Sequence, residues 1–337
     1  MSPMLGYILV FAVGVVVLVA GGELLVRGAV SLADRLGVKP VVIGLTVVAF
    51  GTSAPELALN LVAALRGNSA LCFGNIVGSN IANIGLILGL CALIQPLKVA
   101  TSVIRRELPL MLVASGLVVA FLLLPTGEGA FGAGALSALE GSVLLGFFVA
   151  TLWMIFRGAR REGKVAPFEA EVREMEAAVK QAKFAGPVGL VVVGLSGLVV
   201  GGRLSELGAA GLARSLGVSD EVIGLTIVAI ATSLPELVTS FLSVRRGHVD
   251  LAVGNVVGSN IFNLLFVLAL TSLVRPIDMP PGGRVELVVM AALALLLWPM
   301  SRTHGSTVSR LEGLTLLAVY VGLMAWTVWR AMPGGAA

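Results

Sequence analysis

Long apolar stretches alternate with short polar ones along almost the whole chain. Ten are long enough to span a membrane, and they lie near residues 4–33, 40–65, 70–94, 107–124, 136–156, 185–213, 221–244, 251–274, 285–300 and 311–329. About 20 helical residues cross the hydrocarbon layer of a bilayer, which is about 30 Å thick. The pattern predicts an all-α polytopic membrane protein with about ten transmembrane helices. The first apolar stretch lacks a preceding basic segment and runs past Gly21, so we expect a retained helix and not a signal peptide.

The composition agrees with a membrane environment. Charged residues make up 12% of the 337 residues, whereas a soluble domain has about a quarter. The mean hydropathy is +1.01. We therefore expect an integral protein of the cell (inner or plasma) membrane, surrounded by lipid, as a monomer or weak homo-oligomer. The basic residues lie in short loops and form no basic arm, so a nucleic-acid partner is not expected.

Two copies of one segment are present. Residues 21–90, shifted by 180 positions, match residues 201–270 at 35 of 70 positions. The matches include the blocks TSAPEL and TSLPEL, which begin at Thr52 and Thr232, and the blocks GNIVGSNIAN and GNVVGSNIFN, which begin at Gly74 and Gly254. Chance similarity between apolar helices would match Leu, Val and Ala, not Thr, Ser, Pro, Glu and Asn. The pattern therefore indicates an internal duplication.

The duplication predicts the topology. Five helices in each half is an odd number, so the second half enters the membrane from the opposite side and the halves form an inverted repeat. We expect a first five-helix repeat at 1–156, a linker at 157–184 and a second repeat at 185–337. The linker pattern predicts a short amphipathic helix, either a solvated connection or a regulatory or lipid-surface element. Sixteen basic residues fall in loops on one side and five on the other, which predicts an N-terminus outside and a cytoplasmic linker.

Two glutamates, Glu56 and Glu236, lie in the middle of apolar stretches at equivalent positions of the two copies. A carboxylate at that depth is costly unless it is paired or faces a polar cavity, so it indicates a functional site. The alternative is a glutamate that only ties neighbouring helices together. Its recurrence in both copies, with the same polar neighbours, favours the functional interpretation.

A proline directly precedes each acid. Pro55 and Pro235 predict a break in each helix, because proline lacks the backbone donor and clashes with the preceding turn. We expect the carbonyl groups near Ala49 and Ala229 to be freed there and able to bind a cation. Irregular backbone at this depth occurs where it lines a cavity or is buried in protein.

Oxygen-bearing side chains recur around each acid at helical spacing. In each copy a Thr and a Ser lie four and three residues before the acid, and the following helix carries Ser and Asn four residues apart. They are Thr52, Ser53, Ser79 and Asn83 in the first copy and Thr232, Ser233, Ser259 and Asn263 in the second. Ca²⁺ takes six to eight oxygen ligands, whereas softer metals need Cys or His. The sequence therefore predicts an all-oxygen site for a hard cation.

The paired TSAPEL/GNIVGSNIAN and TSLPEL/GNVVGSNIFN blocks resemble the two alpha-repeats of the cation/calcium exchanger superfamily, most of all its prokaryotic sodium/calcium exchanger branch. The resemblance spans nearly the whole chain. It implies an antiporter that exchanges Ca²⁺ for Na⁺, its transported ions, without a cofactor. It implies ion binding by Glu56 and Glu236 with the eight side chains named above, and by the backbone carbonyls of Ala49 and Ala229.

The resemblance also implies that the first helix of each half slides to alternate access. Both of these helices are rich in glycine, and small residues let membrane helices approach closely. From the sequence, the glycines could serve packing alone or could permit sliding. They are Gly14, Gly21, Gly22 and Gly28 in the first half and Gly194, Gly197, Gly201, Gly202 and Gly208 in the second.

Two departures bear on the coupled ion. Some relatives carry aspartate where Asn263 stands, and in potassium-dependent members that acid is tied to potassium binding, so its absence argues against potassium coupling. The proton-coupled branch carries a glutamate in a GNxxE block, whereas this chain has GNIVG and GNVVG, which favours sodium. A Ca²⁺/H⁺ antiporter and a passive cation channel stay open as alternatives. An enzyme is not expected, because no nucleophile–base pair or metal-hydrolase spacing occurs.

Overall fold

The computed structural model describes residues 3–123, 135–162, 185–216 and 229–331, most of which form helices. The helices are α1 Pro3–Leu36, α2 Pro40–Thr52, α3 Ala54–Leu65, α4 Ser69–Ile94, α5 Val103–Leu123, α6 Ala138–Glu162, α7 Ala185–Ser215, α8 Ala229–Thr232, α9 Leu234–Arg245, α10 Val249–Val274, α11 Gly283–Met300 and α12 Arg310–Ala331. Within these ranges seven helices are long and apolar enough to span a membrane, and the bent pair α2–α3 makes an eighth. The prediction of a polytopic helical membrane protein is confirmed.

Two predicted segments are covered in part. The predicted span 221–244 corresponds to α8 and α9, and the residues before α8, 217–228, lie outside the described chain. The predicted amphipathic helix of the linker also falls outside it, at 163–184. The helix α6 continues to Glu162 and so extends into the stretch that we expected to be linker.

Four two-residue strands connect the halves, and the all-α prediction missed them. They are β1 Leu97–Lys98, β2 Ala135–Leu136, β3 Ile277–Asp278 and β4 Thr307–Val308. Strands this short give no readable alternation in the sequence. β1 pairs antiparallel with β4, and β2 pairs antiparallel with β3. β1, which follows α4, pairs with β4, which precedes the last helix of the second half, α12. β3, which follows α10, pairs with β2, which precedes the last helix of the first half, α6.

The helices α4 and α10 form the centre of the bundle. In their most apolar segments, 78% and 83% of the residues are buried within the protein, so the polar residues there face other helices and not lipid. Each helix contains a π-helical turn, Ala82–Leu88 in α4 and Asn263–Val267 in α10. Such widened turns are frequent at functional sites. Here they lie at the two predicted ligands Asn83 and Asn263.

The long helices α1 and α7 pack antiparallel against each other through glycine. A Cβ atom added to Gly21 would lie 2.7 Å from the backbone nitrogen of Leu198, and one added to Gly194 would lie 2.5 Å from that of Leu25. Only glycine permits backbones to approach this closely. The outward faces of both helices expose apolar side chains such as Val16, as expected for a surface in contact with lipid.

Candidate cation-binding site

Both predicted helix breaks are present, and each places an acid at the start of a helix. The helices α2 and α3 meet at Ser53 with a bend of 40°, and α8 and α9 meet at Ser233. Both serines leave the helical conformation, with ψ angles of 6° and 3°. Glu56 and Glu236 therefore lie in the first turns of α3 and α9, where unpaired backbone N–H groups favour a negative charge.

The two acids are buried where the two halves meet. Glu56 and Glu236 are both 0% exposed. The hydroxyl of Ser53 in the first half donates a 3.0 Å hydrogen bond to Oε1 of Glu236 in the second. The hydroxyls of Thr52 and Ser259 lie close to the same carboxylate. The structure thus brings the two motifs, which are 180 residues apart in sequence, into one site.

Several buried oxygens of this region make no hydrogen bond of ordinary geometry with the described protein. They are both carboxylate oxygens of Glu56, Oε2 of Glu236, the hydroxyls of Ser79, Ser233 and Ser259, and Oδ1 of Asn83 and Asn263. More than about 90% of buried polar groups in proteins have a partner. A cluster of unsatisfied acceptors therefore indicates a group that the protein does not supply itself. Oxygen atoms that include two carboxylates suit a hard cation.

The asparagines Asn83 and Asn263 come from opposite halves and are both buried. The turn that carries Asn83 contacts α9, and the turn that carries Asn263 contacts α3, so each turn packs against the acid-bearing helix of the other half. The side-chain nitrogen of Asn83 donates to Oδ1 of Asn260 at 3.1 Å. This hydrogen bond joins α4 to α10 and leaves Oδ1 of Asn83 available.

The hydroxyl groups of the two predicted threonine ligands also cross between the halves. Oγ1 of Thr52 donates to Oδ1 of Asn255, and Oγ1 of Thr232 donates to Oδ1 of Asn75, each at 3.3 Å. Neither Asn75 nor Asn255 was a candidate from the sequence. The signal was present, because both occupy the second position of the repeated GNxVGSN blocks.

The expectation that the helix break frees the carbonyl of Ala49 from its helical hydrogen bond is wrong. The oxygen of Ala49 still accepts the backbone N–H of Ser53 at 3.0 Å. Pro55 removes the donor for the carbonyl four residues earlier, which belongs to Gly51. The hydroxyl of Thr52 lies 3.4 Å from the same oxygen. A bound cation would replace this long contact, so Ala49 stays a predicted ligand. Ala229, at the start of α8, also stays one.

Comparison with known proteins identifies the family. A family model described as sodium/calcium exchanger protein matches residues 6–157 and 186–329. The chain is 39% identical over 313 residues to the putative antiporter CaxA of Alkalimonas amylolytica, across 92% of this chain and 95% of that protein. It is 32% identical over 347 residues to the sodium/calcium exchanger MaX1 of Methanosarcina acetivorans, across 94% and 97%.

This chain belongs to the sodium/calcium exchanger family. A solved structure of the sodium-calcium exchanger NCX_Mj agrees, with a TM-score of 0.79 at 30% identity over 96% of this chain and 98% of that one. The family resemblance of the repeated blocks is thereby confirmed. The exchanger is an integral multi-pass membrane antiporter for cations that include calcium, and it is not an enzyme.

Proposed function

We propose that this exchanger moves Ca²⁺ and Na⁺ in opposite directions, with Glu56 and Glu236 binding the competing ions. The observation that carries the proposal is the cluster of unsatisfied oxygens around two fully buried carboxylates. Two ionised glutamates have a combined charge of about −2, which balances one Ca²⁺. Sodium ions compete for the same oxygens, so one load must leave before the other binds.

The remaining ligands that we propose come equally from both halves. Hydroxyl, amide and backbone carbonyl oxygens complete the coordination that two carboxylates begin. They belong to Thr52, Ser53, Ser79, Asn83 and Ala49 in the first half and to Thr232, Ser233, Ser259, Asn263 and Ala229 in the second.

Sodium as the counter-ion is supported by the structural neighbour. The NCX_Mj crystals were soaked with Na⁺ and Ca²⁺, and others with Na⁺ and Sr²⁺, to follow extracellular ion exchange. The GNIVG and GNVVG blocks, which lack the glutamate of the proton-coupled branch, point the same way.

The halves of this exchanger are proposed to be inverted five-helix repeats, 1–156 and 185–337, joined by a cytoplasmic linker. The crossed strand pairs support this. β1 and β3 are equivalent in the repeat, as are β2 and β4, yet β1 pairs with β4 and β2 with β3. Loops that are equivalent in the two halves must therefore lie on opposite sides of the bundle. The excess of basic residues in one set of loops supports an N-terminus outside.

Alternating access is proposed to come from sliding of α1 and α7 past the central bundle. Their glycine-lined contact holds the two helices close together, so that they can move as a pair. Both helices contact the broken helices that carry the acids, so a shift of the pair would open the site to either side.

The proposal is tested by uptake of radioactive calcium into vesicles that contain the purified protein. Uptake should require sodium inside and a sodium-free medium outside, because the site cannot hold both loads. Replacing internal sodium with choline should abolish uptake. Uptake that persists in choline and follows an imposed pH gradient would assign proton coupling, and calcium flux that needs no counter-ion would assign a channel.

We expect Glu23→Gln to shift the balance between the two access states. Glu23 on α1 accepts hydrogen bonds from Arg27 on the same helix and from Arg246 beyond α9, each at 2.8 Å. The positions equivalent to Glu23 and Arg246 in the other copy are Arg203 and Arg66, which carry like charges. The ion pair between α1 and the bundle can therefore form in one access state and not in the reverse one.

An exposed ion pair of this kind changes a population about twofold to fivefold. The distance distribution between spin labels on α1 and α9, measured by pulsed electron paramagnetic resonance, should shift towards the second state in Glu23→Gln. Arg27→Gln is the matched control, because Arg27 lies on α1 itself and does not tie it to the bundle. Identical distributions in all three proteins would contradict the expectation.

Asn263→Asp is expected to change the cation and pH dependence of transport without abolishing it. Asn263 is fully buried, and neither its oxygen nor its nitrogen has a hydrogen-bond partner among the described residues. An aspartate adds a third carboxylate that can recruit a monovalent cation or a proton. Calcium flux is measured across pH with and without potassium, with Asn263→Ala as the control. Profiles identical to wild type in both variants would remove Asn263 from the site.

A further inference from the structure

We infer that Asn75 and Asn255 are positioning residues. Each one fixes the threonine of one half relative to the acid-bearing helix of the other half. Together they join the two motifs into a single site. The inference rests on the proposed cation site and adds two residues that hold its ligands in position. Asn75 is 7% exposed and Asn255 is 0% exposed, so their hydrogen bonds do not compete with solvent. Each residue lies on a central helix, α4 or α10.

The amide of Asn75 contacts both halves at once. Its Oδ1 accepts the hydroxyl of Thr232 in the second half at 3.3 Å. Its Nδ2 donates to Oδ1 of Asn60 at 2.7 Å and to the backbone oxygen of Glu56 at 3.4 Å, both on α3 of the first half. Asn75 thus connects the backbone at one acid to the threonine four residues before the other acid, on the far side of the helix break at Ser233.

The amide of Asn255 makes the equivalent connection from the second half to the first. Its Oδ1 accepts the hydroxyl of Thr52 in the first half at 3.3 Å, and its Nδ2 donates to the hydroxyl of Ser240 on α9 at 3.0 Å. Asn60 and Ser240 occupy equivalent positions of the repeat but differ chemically. The hydrogen bond between the asparagine and the threonine of the other half is therefore present in both copies, although the residue that accepts from the asparagine on its own half differs.

These hydrogen bonds have a consequence for ion binding. A threonine hydroxyl that donates its proton to an asparagine oxygen must direct its lone pairs elsewhere, because it has a single proton and two acceptor sites. Asn75 thereby favours the acceptor orientation of Thr232 that a cation needs. At Thr52, Oδ1 of Asn255 at 3.3 Å shares this role with the carbonyl oxygen of Ala49 at 3.4 Å. The two asparagines also keep each threonine in a fixed position relative to the acid of the other half. Residues that hydrogen-bond to ion ligands orient the ligands in the same way in other sites.

A double-mutant cycle tests the inference. Equilibrium affinities for Ca²⁺ and Sr²⁺ are measured on purified protein for Asn75→Ala, Thr232→Val and the double variant. Each single change should weaken Ca²⁺ binding about threefold to tenfold, the value of one hydrogen bond. The double variant should be no more than about twofold weaker than the worse single variant, because both changes remove the same interaction. The ratio of Ca²⁺ to Sr²⁺ affinity should also change, which a smaller fraction of folded protein would not cause.

The repeat supplies the matched controls. Asn75→Ala combined with Thr52→Val should give the product of the single effects, because Thr52 bonds to Asn255. Asn80→Ala removes a buried amide whose 2.7 Å hydrogen bond to the oxygen of Ile76 stays within α4, and it should change affinity by less than about twofold. If Asn75→Ala does not fold, the mirror cycle of Asn255→Ala and Thr52→Val, with Thr232→Val as control, gives the answer.

Two failures are distinguishable. Wild-type protein that binds no Ca²⁺ would contradict the proposed function itself. Wild-type protein that binds Ca²⁺, with effects of Asn75→Ala and Thr232→Val that simply multiply and an unchanged ratio of Ca²⁺ to Sr²⁺ affinity, would overturn the positioning role alone.

Discussion

Replacing either Glu56 or Glu236 with glutamine is expected to abolish calcium uptake while leaving a folded, membrane-inserted protein. Each change removes one of the two charges that face the divalent ion, in a site that is fully buried. A pair of unit charges at about 4 Å contributes on the order of 4 kcal/mol at the effective dielectric constant of protein sites, which is a loss of roughly a thousandfold in affinity. Sodium-dependent uptake of radioactive calcium by vesicles measures the effect.

Glu140→Gln is the matched control for these two variants. Glu140 is also a buried acid, but its carboxylate accepts the backbone N–H of Ser137 at 2.7 Å at the start of α6. Glutamine can serve in the same capping arrangement, so transport should be retained. Near-normal uptake by Glu56→Gln or by Glu236→Gln would mean that the substituted glutamate is structural and does not bind the ion.

Gly194→Leu is the second change with a large expected effect. A Cβ atom at this position would lie 2.5 Å from the nitrogen of Leu25 and 2.9 Å from the oxygen of Gly21, both backbone atoms of α1. Backbone cannot move aside as a flexible side chain can, so the two helices must separate. Overpacking costs about 1–3 kcal/mol, and a larger side chain costs more, so we expect transport to fall on the order of tenfold or more.

The control for this variant lies on the same helix. A Cβ atom at Gly189 would have no described atom of another element within 4 Å, so Gly189→Leu adds the same side chain where α7 has open space. Its calcium uptake, normalised to the amount of folded protein, should be close to wild type. Equal uptake by Gly194→Leu and Gly189→Leu would show that the close approach of α1 and α7 is not needed for transport.

Local features of the site were predictable from the sequence because their causes are local. Proline removes one donor and blocks one turn, so Pro55 and Pro235 predict breaks next to the acids wherever the helices pack. The same rule, applied two residues too early, gave the wrong expectation for Ala49, since the carbonyl that loses its donor at Pro55 belongs to Gly51. The duplication made the polar residues stand out, because matching Thr, Ser, Glu and Asn cannot arise from apolar composition alone.

Contacts between the halves were not predictable in the same way. Helical periodicity shows which residues share one face of a helix, but not which helix of the other half meets that face. The partners Thr52 and Asn255 are 203 positions apart, and Thr232 and Asn75 are 157 apart. The pairing of β1 with β4 was hidden for a second reason, because two residues are too few to show alternation.

The most direct test of Ca²⁺/Na⁺ exchange follows both ions in one experiment. Vesicles loaded with radioactive sodium are diluted into sodium-free medium that contains radioactive calcium, and the two isotopes are counted together over time. We predict that sodium leaves only when calcium is outside and that calcium enters only when sodium is inside, and that both fluxes vanish in the variant Glu56→Gln. Calcium entry without any calcium-dependent loss of sodium would contradict Ca²⁺/Na⁺ exchange.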